Sequence, residues 1–510
     1  MDDRHALGRA LPAMLGICLV TLLVALDQTV VSTAMPRVVA DLNGFALYSW
    51  VATAYLLASS ILVPITGRFG DLFGRKTFVM AAIAVFTSAS ALCGMVHSMP
   101  ELVAARTLQG VGGGMLTGSA FAAVADIFPE PGQRLRWQAM LSTSYAVACA
   151  AGPVLGGYLT THFDWRSVFF VNVPVGLAAY VVTGRYLPRS EGHRTPGSPV
   201  DIKGCLLFAL ATASLLLLIE RAGSAEWRSP LLWLLIVLAP LSAILLVAVE
   251  RRAAQPILPL HLFRGKTIRL LAVLSALGGC AMFVLLFYSP LLLQGGFGLS
   301  PTTAGIVTSP LMVGVPVGSI VSGRLYGRER FPPKLLFGLG LGLLVIGCAL
   351  IALLDPDSTQ WHMLCAFAVS GLGLGFLLPN LTVQMQIAVA RADIGTASAL
   401  VQTMRMLGSV VGTTVVGAIV LHTYRVGLEG IATTAPGTAS LAKLFADPKI
   451  LVEASTNATA ANYGWVLAAA RKVLATGVDR GVLLTLLVAV VGLEVMRRLP
   501  SRQAALKLAP

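Results

Sequence analysis

Residues 12–34 read PAMLGICLVTLLVALDQTVVSTA. An apolar run of this length crosses the roughly 30 Å hydrocarbon core of a bilayer as one helix. It contains a single carboxylate, Asp27, and is preceded by Arg4 and Arg9. A basic start and an apolar run also outline a secretory leader, but this run is too long and its buried acid is out of place in one. Working outward, thirteen further runs satisfy the same length rule, at 46–66, 78–97, 101–124, 137–160, 166–187, 202–220, 230–250, 269–293, 302–323, 335–354, 361–386, 396–421 and 478–497. The whole chain has 510 residues, 56% of them hydrophobic and 12% charged. Its mean hydropathy is +0.81. Soluble proteins carry about 25% charged residues, so an ordinary soluble enzyme, a disordered chain and a collagen-like chain are excluded. The sequence predicts an all-α membrane protein with fourteen transmembrane helices.

The net charge of +14 would suggest a nucleic-acid partner in a soluble protein. Here most Lys and Arg fall in alternate short loops, and cytoplasmic loops of membrane proteins collect such residues. The distribution places both termini in the cytoplasm, in a plasma (inner) membrane, and needs no nucleic acid. The one long polar insertion, 422–477, then falls outside; its part 438–475 has spaced apolar residues suited to a surface helix. Asn457-Ala-Thr459 there fits a glycosylation acceptor. The seven cysteines all lie within apolar runs, and the seven histidines are scattered. Neither set has metal-binding or disulfide spacing, and no phosphate loop or nucleophile–base pair appears. No cofactor is expected, and the chain is not read as an enzyme.

Ionisable groups inside a span are costly and point to function. Asp27 is expected about 10 Å below the outer end of the first span, and Arg106 about 9 Å below that of the fourth. A carboxylate and a guanidinium at matched depth lower each other's burial cost. They form either a structural ion pair or a proton site beside a cavity. Arg405, inside the thirteenth span, lines a cavity or reaches a carbonyl. Small residues recur every four positions at Gly110, Gly114 and Gly118, at Ala148, Gly152 and Gly156 around Pro153, at Gly314 and Gly318, and at Gly408 and Gly412. Such stripes let helices approach closely in membranes. Between the second and third spans stands Gly67-Arg-Phe-Gly70-Asp71-Leu-Phe-Gly74-Arg75-Lys76, read as a tight basic turn permitted by Gly67 and Gly74. A weaker echo, Gly323-Arg-Leu-Tyr-Gly327-Arg328, follows the tenth span. It suggests internal duplication, spans 1–6 matching spans 9–14.

Taken together, these residues resemble the major facilitator superfamily, in its fourteen-span drug:proton antiporter branch. The resemblance rests on Gly67 to Lys76, on Arg106, Gln109 and Gly110, on Gly152-Pro153-x-x-Gly156-Gly157, on Leu26-Asp27-x-Thr29 through Ala34-x-Pro36, and on Trp165-Arg166-x-x-Phe169-x-x-Asn172-x-Pro174. It implies a six-helix bundle over 1–190, an inserted helix pair with its linker over 191–255, and a second six-helix bundle over 256–510 that carries the 422–477 loop. It implies alternating access, with the bundles rocking around a central cavity. Asp27 and Arg106 would take part in proton coupling. Gly67, Asp71, Gly74, Arg75 and Lys76 would form a cytoplasmic latch, and Gly152, Pro153, Gly156 and Gly157 would shape a bundle interface. One departure is that spans 4 and 5 hold no second mid-membrane acid; Asp126 and Glu220 lie near span ends.

The substrate cavity is assigned to Trp50, Tyr55, Gln109, Phe283, Phe287, Tyr288 and Arg405. An apolar cavity with few fixed polar groups favours hydrophobic or amphipathic small molecules. The expected function is proton-driven multidrug efflux, with protons, small substrates and lipid as partners; the sequence leaves open a periplasmic adaptor. The alternatives are a dedicated exporter of an endogenous metabolite, lipid or siderophore, and a membrane receptor or sensor, against which the lack of a sizeable soluble domain counts.

Overall fold

A computed structural model describes residues 3–73, 75–127, 131–188, 202–223, 229–253, 262–326, 332–389, 394–434 and 460–499. These residues form fourteen long helical segments. In chain order they are α1 (Asp3–Leu42), α2 (Tyr48–Phe73), α3 (Arg75–Met95), α4 (Met99–Ile127), α5 (Pro131–His162) and α6 (Ser167–Tyr186, interrupted at Val171). Then follow α7 (Ile202–Gly223), α8 (Pro230–Glu250), α9 (Lys266–Leu291), α10 (Pro301–Tyr326), α11 (Pro333–Ala352), α12 (Gln360–Ile387), α13 (Ile394–Thr434) and α14 (Ala460–Arg497). Among the described residues, eleven of the segments are long and apolar enough to cross a membrane. Side chains that point away from the bundles are apolar, as Val181, Leu206, Trp233, Ile244 and Ile346 are. Lipid tails solvate such a surface, while backbone polar groups close within the helices.

Three boundaries differ from the sequence expectation, each for the same reason. Hydropathy falls where charges enter a helix, but the backbone ladder continues through them. α1 runs on through Pro36 and Arg37 to Leu42, so Asp27 lies at the middle of the Leu11–Leu42 span and deeper than expected. α2 continues to Phe73, so the stretch from Gly67 onward is helix and the expected turn contracts to the gap before Arg75. Gly74 and the side chains of residues 67–73, Asp71 included, lie outside the described residues. The polar segment 422–477 is helical at both ends, because α13 extends to Thr434 and α14 begins at Ala460. The stretch 460–475 is thus the start of the last span and no separate surface helix, while Asn457 lies outside the described residues.

The chain divides into two compact units. One holds residues 1–34, 50–218 and 228–258; the other holds 35–49, 219–227 and 259–510. Within the first unit, α5 packs on α1 where Gly152 and Gly156 meet Thr29 and Thr33. The two threonine hydroxyls donate back to the carbonyls of Ala25 and Val30, at 2.8 and 2.9 Å, so the contact is free of stranded donors. α4 packs on α2 at Gly110 and Gly114, and Ser59 Oγ donates to the Gly110 carbonyl at 2.9 Å. In the second unit, α13 packs on α9 at Gly408 and Gly412, and α12 packs on α10 at Gly371 and Gly375. The first-with-fifth and second-with-fourth pairings of one unit thus recur in the other.

A methyl group added at Gly110 would stand 2.8 Å from Tyr55 Cα, whereas one at Gly342 would meet nothing within 4 Å. Gly110→Ala should therefore lower stability by about 1–3 kcal/mol through overpacking, and Gly342→Ala should be neutral or slightly stabilising. Thermal unfolding of the two purified variants in one detergent checks the contrast.

Candidate functional site

The first unit converges on a polar centre made by five of its helices. Asp27 projects from α1 and is fully buried. Its Oδ2 accepts Arg106 Nη1 from α4 at 2.7 Å. Its Oδ1 accepts Gln109 Nε2 at 2.8 Å and Asn172 Nδ2 from α6 at 3.1 Å. Arg106 and Gln109 stand three residues apart on α4, hence on one face, and Arg106 Nη1 also donates to Gln109 Oε1 at 2.8 Å. Arg106 Nε donates to the Val51 carbonyl of α2 at 3.4 Å, and its guanidinium lies 4.4 Å from the centre of the Tyr55 ring. From α3, Cys93 Sγ donates to Gln109 Oε1 at 3.4 Å. Ser90 Oγ accepts from Asn172 Nδ2 at 3.1 Å and donates to the Phe169 carbonyl at 2.9 Å. Arg106, Gln109, Ser90 and Asn172 are as fully enclosed as Asp27.

This arrangement joins a buried charge pair to a set of amides and hydroxyls that hold it. The carboxylate takes three donors, which an ionised acid away from water needs. Among the described residues, Arg106 Nη2 and Asn172 Oδ1 are buried atoms of the centre without a hydrogen-bond partner, and the Tyr55 hydroxyl is buried beside Gln28 and Ser59. Arg106 is the fixed counter-charge to the Asp27 carboxylate.

The other expected site residues are placed as follows. Gln109 and Tyr55, assigned to a substrate cavity, belong to the polar centre. Trp50 is partly buried one turn before Tyr55. In the second unit, Phe283 and Phe287 stack on each other at 6.1 Å, and the Tyr288 hydroxyl donates to the Thr413 carbonyl at 2.8 Å. Residues 35–49 belong to this unit, where Tyr48 donates to the Phe287 carbonyl at 2.7 Å. Arg405 donates to Gln402 on its own helix. Lys76 Nζ donates to the Leu187 carbonyl at 2.7 Å and so ties the start of α3 to the end of α6. Asn172 and Ser90 were not singled out as site residues. Asn172 was visible only as a member of the Trp165–Pro174 pattern, and nothing in the sequence marks Ser90. Asp479 is a further acid inside a span, on α14, with Oδ1 buried and without a partner among the described residues.

Fourteen helices among the described residues, eleven of them long and apolar enough to cross a membrane, in two units whose internal pairings repeat, with one unit centred on a buried acid–base pair, describe a multi-pass membrane transporter. The family model of the Major Facilitator Superfamily matches residues 17–413, and the chain belongs to that superfamily. Among its relatives, the multidrug transporter protein MdtP of Bacillus subtilis is 33% identical over 79% of this chain and 74% of that protein. The tetracenomycin C resistance and export protein of Streptomyces glaucescens is 33% identical over 82% of this chain and 77% of its own. Among solved structures, a bacterial homolog of the human lysosomal transporter Spinster, inward-facing and unoccupied, shares the fold at a TM-score of 0.65 and 18% identity over 96% of each chain.

Removing one member of a buried ion pair costs about 3–5 kcal/mol, because the other is left charged and unpaired. Arg106→Leu should therefore destabilise the protein by that amount, and adding Asp27→Leu should recover most of the loss. A double-mutant cycle on unfolding in detergent tests this; additive losses would show that the pair is not coupled.

Proposed function

We propose that this chain is a proton-coupled secondary transporter that exports hydrophobic or amphipathic small molecules by alternating access, with all fourteen helices crossing the membrane. The observation that carries the reading is the enclosed Asp27–Arg106 pair, held by Gln109 and Asn172. The names of the relatives, a multidrug transporter and a resistance and export protein, support efflux as the direction. Protonation of Asp27 removes the carboxylate charge and leaves Arg106 a buried cation without its counter-ion. The enclosed state is then disfavoured, and a state that admits water to Arg106 gains population. A proton is thereby exchanged for a shift in which side of the protein is open, and the proton gradient is the energy source. Asp71, Arg75 and Lys76 are assigned to a latch at the cytoplasmic end. The Lys76 bond to Leu187 supports a brace at that end of the first unit. The close contacts of Gly152 and Gly156 with α1 couple α5 to the helix that bears Asp27.

Relatives named for single antibiotics, methylenomycin A and tetracenomycin C, favour a second reading in which export is dedicated to one compound. A panel of compounds tested in sealed inverted vesicles separates broad from dedicated export. In the same vesicles Asp27→Asn should abolish proton-gradient-driven efflux while equilibrium substrate binding stays within a few-fold. Parental rates in that variant would remove Asp27 from the mechanism.

The basic loops support a reading in which the chain lies in the plasma (inner) membrane with both termini in the cytoplasm. Reporter tags after Pro188 and at the C-terminus should be cytoplasmic, and a tag at Thr438 external. A cytoplasmic signal at Thr438 would break the fourteen-span arrangement.

A further inference from the structure

The proton reading leaves one question of bonding. A fully enclosed carboxylate needs hydrogen-bond donors, whereas the same group carrying a proton needs an acceptor. We propose that Asn172 answers both needs, as an amide that turns over with the protonation state of Asp27. This inference rests on the proposed proton coupling at Asp27 and deepens it.

The argument is a count of bonds at the site. Around Asp27 the available side chains are Arg106 and Gln109 from α4, Asn172 from α6, and the titratable Tyr55 from α2 and Cys93 from α3. Among the described residues α5 meets this part of α1 through Gly152, against Thr29, and through Tyr145, whose hydroxyl donates to Gln28 Oε1 at 3.3 Å. Arg106 has no acceptor to offer. Gln109 Oε1 is engaged by Arg106 Nη1 and the Cys93 thiol, so it is committed in the ionised state. Asn172 Oδ1 has no partner among the described residues and is enclosed with the rest of a wholly buried side chain. Its Nδ2, by contrast, donates to both Asp27 Oδ1 and Ser90 Oγ.

Rotation of the amide by half a turn exchanges these two ends. When Asp27 takes a proton from water onto Oδ1, the new hydroxyl points at the site held by Nδ2. The turned amide puts Oδ1 there to accept it. Ser90, which now donates to the Phe169 carbonyl, can swing its hydroxyl to donate to the same Oδ1. The far end of the amide has no partner among the described residues, so the two orientations differ at the Asp27 end and in whether Ser90 donates to Phe169 or to the amide. Release of the proton to water reverses the rotation. Asn172 is a positioning residue in this scheme, and it neither carries nor transfers the proton.

The test uses the full-length protein in sealed inverted vesicles. Asn172→Leu keeps the branched shape and removes both donor and acceptor. Asn172→Asp introduces a carboxyl that offers donor and acceptor together only while protonated. Loss of a hydrogen bond to a charged group predicts that Asn172→Leu lowers gradient-driven efflux by about tenfold or more. Substrate counterflow without a gradient should be retained. Asn172→Asp should recover efflux on the acid side, with the pH profile displaced to lower pH. Parental efflux and pH profile in Asn172→Leu would overturn the proposal. Equal loss of efflux and counterflow would also overturn it, by showing a merely structural role, as would an Asn172→Asp profile that is not displaced. Asp27→Asn is measured in parallel. If that variant keeps gradient-driven efflux, the proton reading itself fails; if it loses efflux and Asn172→Leu does not, only the amide proposal fails.

Discussion

An ionised carboxylate and a guanidinium in a bundle solvated by lipid persist only as each other's partner, and the first unit is arranged to keep them together. Asp27 and Arg106 meet at 2.7 Å with no exposed surface. Water solvates neither group, so every remaining bond comes from a neighbouring helix. α2 gives the Val51 carbonyl and the Tyr55 ring, α3 gives Ser90 and Cys93, α4 gives Gln109, and α6 gives Asn172. Moving one of these helices changes the bonding of the pair. The cost of burying charge is thus turned into a link between the ion pair and the packing of five helices.

That link requires helices close enough for short amide side chains to reach. Asn172 spans from α6 to the carboxylate on α1 at 3.1 Å. Small residues on α4 and α5 set the spacing: Gly110 and Gly114 against α2, Gly152 and Gly156 against α1. Between lipid-solvated helices there is little hydrophobic drive, so association depends on close backbone packing and on interhelical hydrogen bonds. The second unit has the same scheme at Gly371, Gly375, Gly408 and Gly412. There the polar side chains close mostly on backbone carbonyls, as Ser275 does on Val401 at 2.7 Å and Tyr288 on Thr413 at 2.8 Å. Similar packing therefore supports different chemistry in the two units.

The outer part of Trp165–Pro174 shows how one sequence pattern serves two purposes. Arg166 stacks over Trp165 at 4.3 Å, pairs with Asp164 at 2.9 Å and donates to the Val96 carbonyl at 3.3 Å, fixing the start of α6 on the end of α3. Phe169 offers its carbonyl to Ser90, and Asn172 reaches Asp27. Exposed pairs such as Arg166–Asp164 contribute little to stability. Their placement instead orients the helix that delivers the buried amide.

The sequence alone determined the class of protein, because length and composition of apolar runs follow directly from bilayer thickness. It also pointed to Asp27 and Arg106 as partners, since an acid and a base at matched depth in two spans of one half have few ways to lower their burial cost. Helix ends at Leu42, Phe73, Thr434 and Ala460 were not legible, because charge lowers hydropathy without breaking a helical ladder. Nor could the sequence decide that Gln109 and Tyr55 belong with the charge pair, or that Asn172 and Ser90 complete it. Those assignments depend on which faces of α2, α3, α4 and α6 turn toward α1. Helical periodicity shows that residues share a face of their own helix; the direction of that face is set only by the packing of the other helices around it.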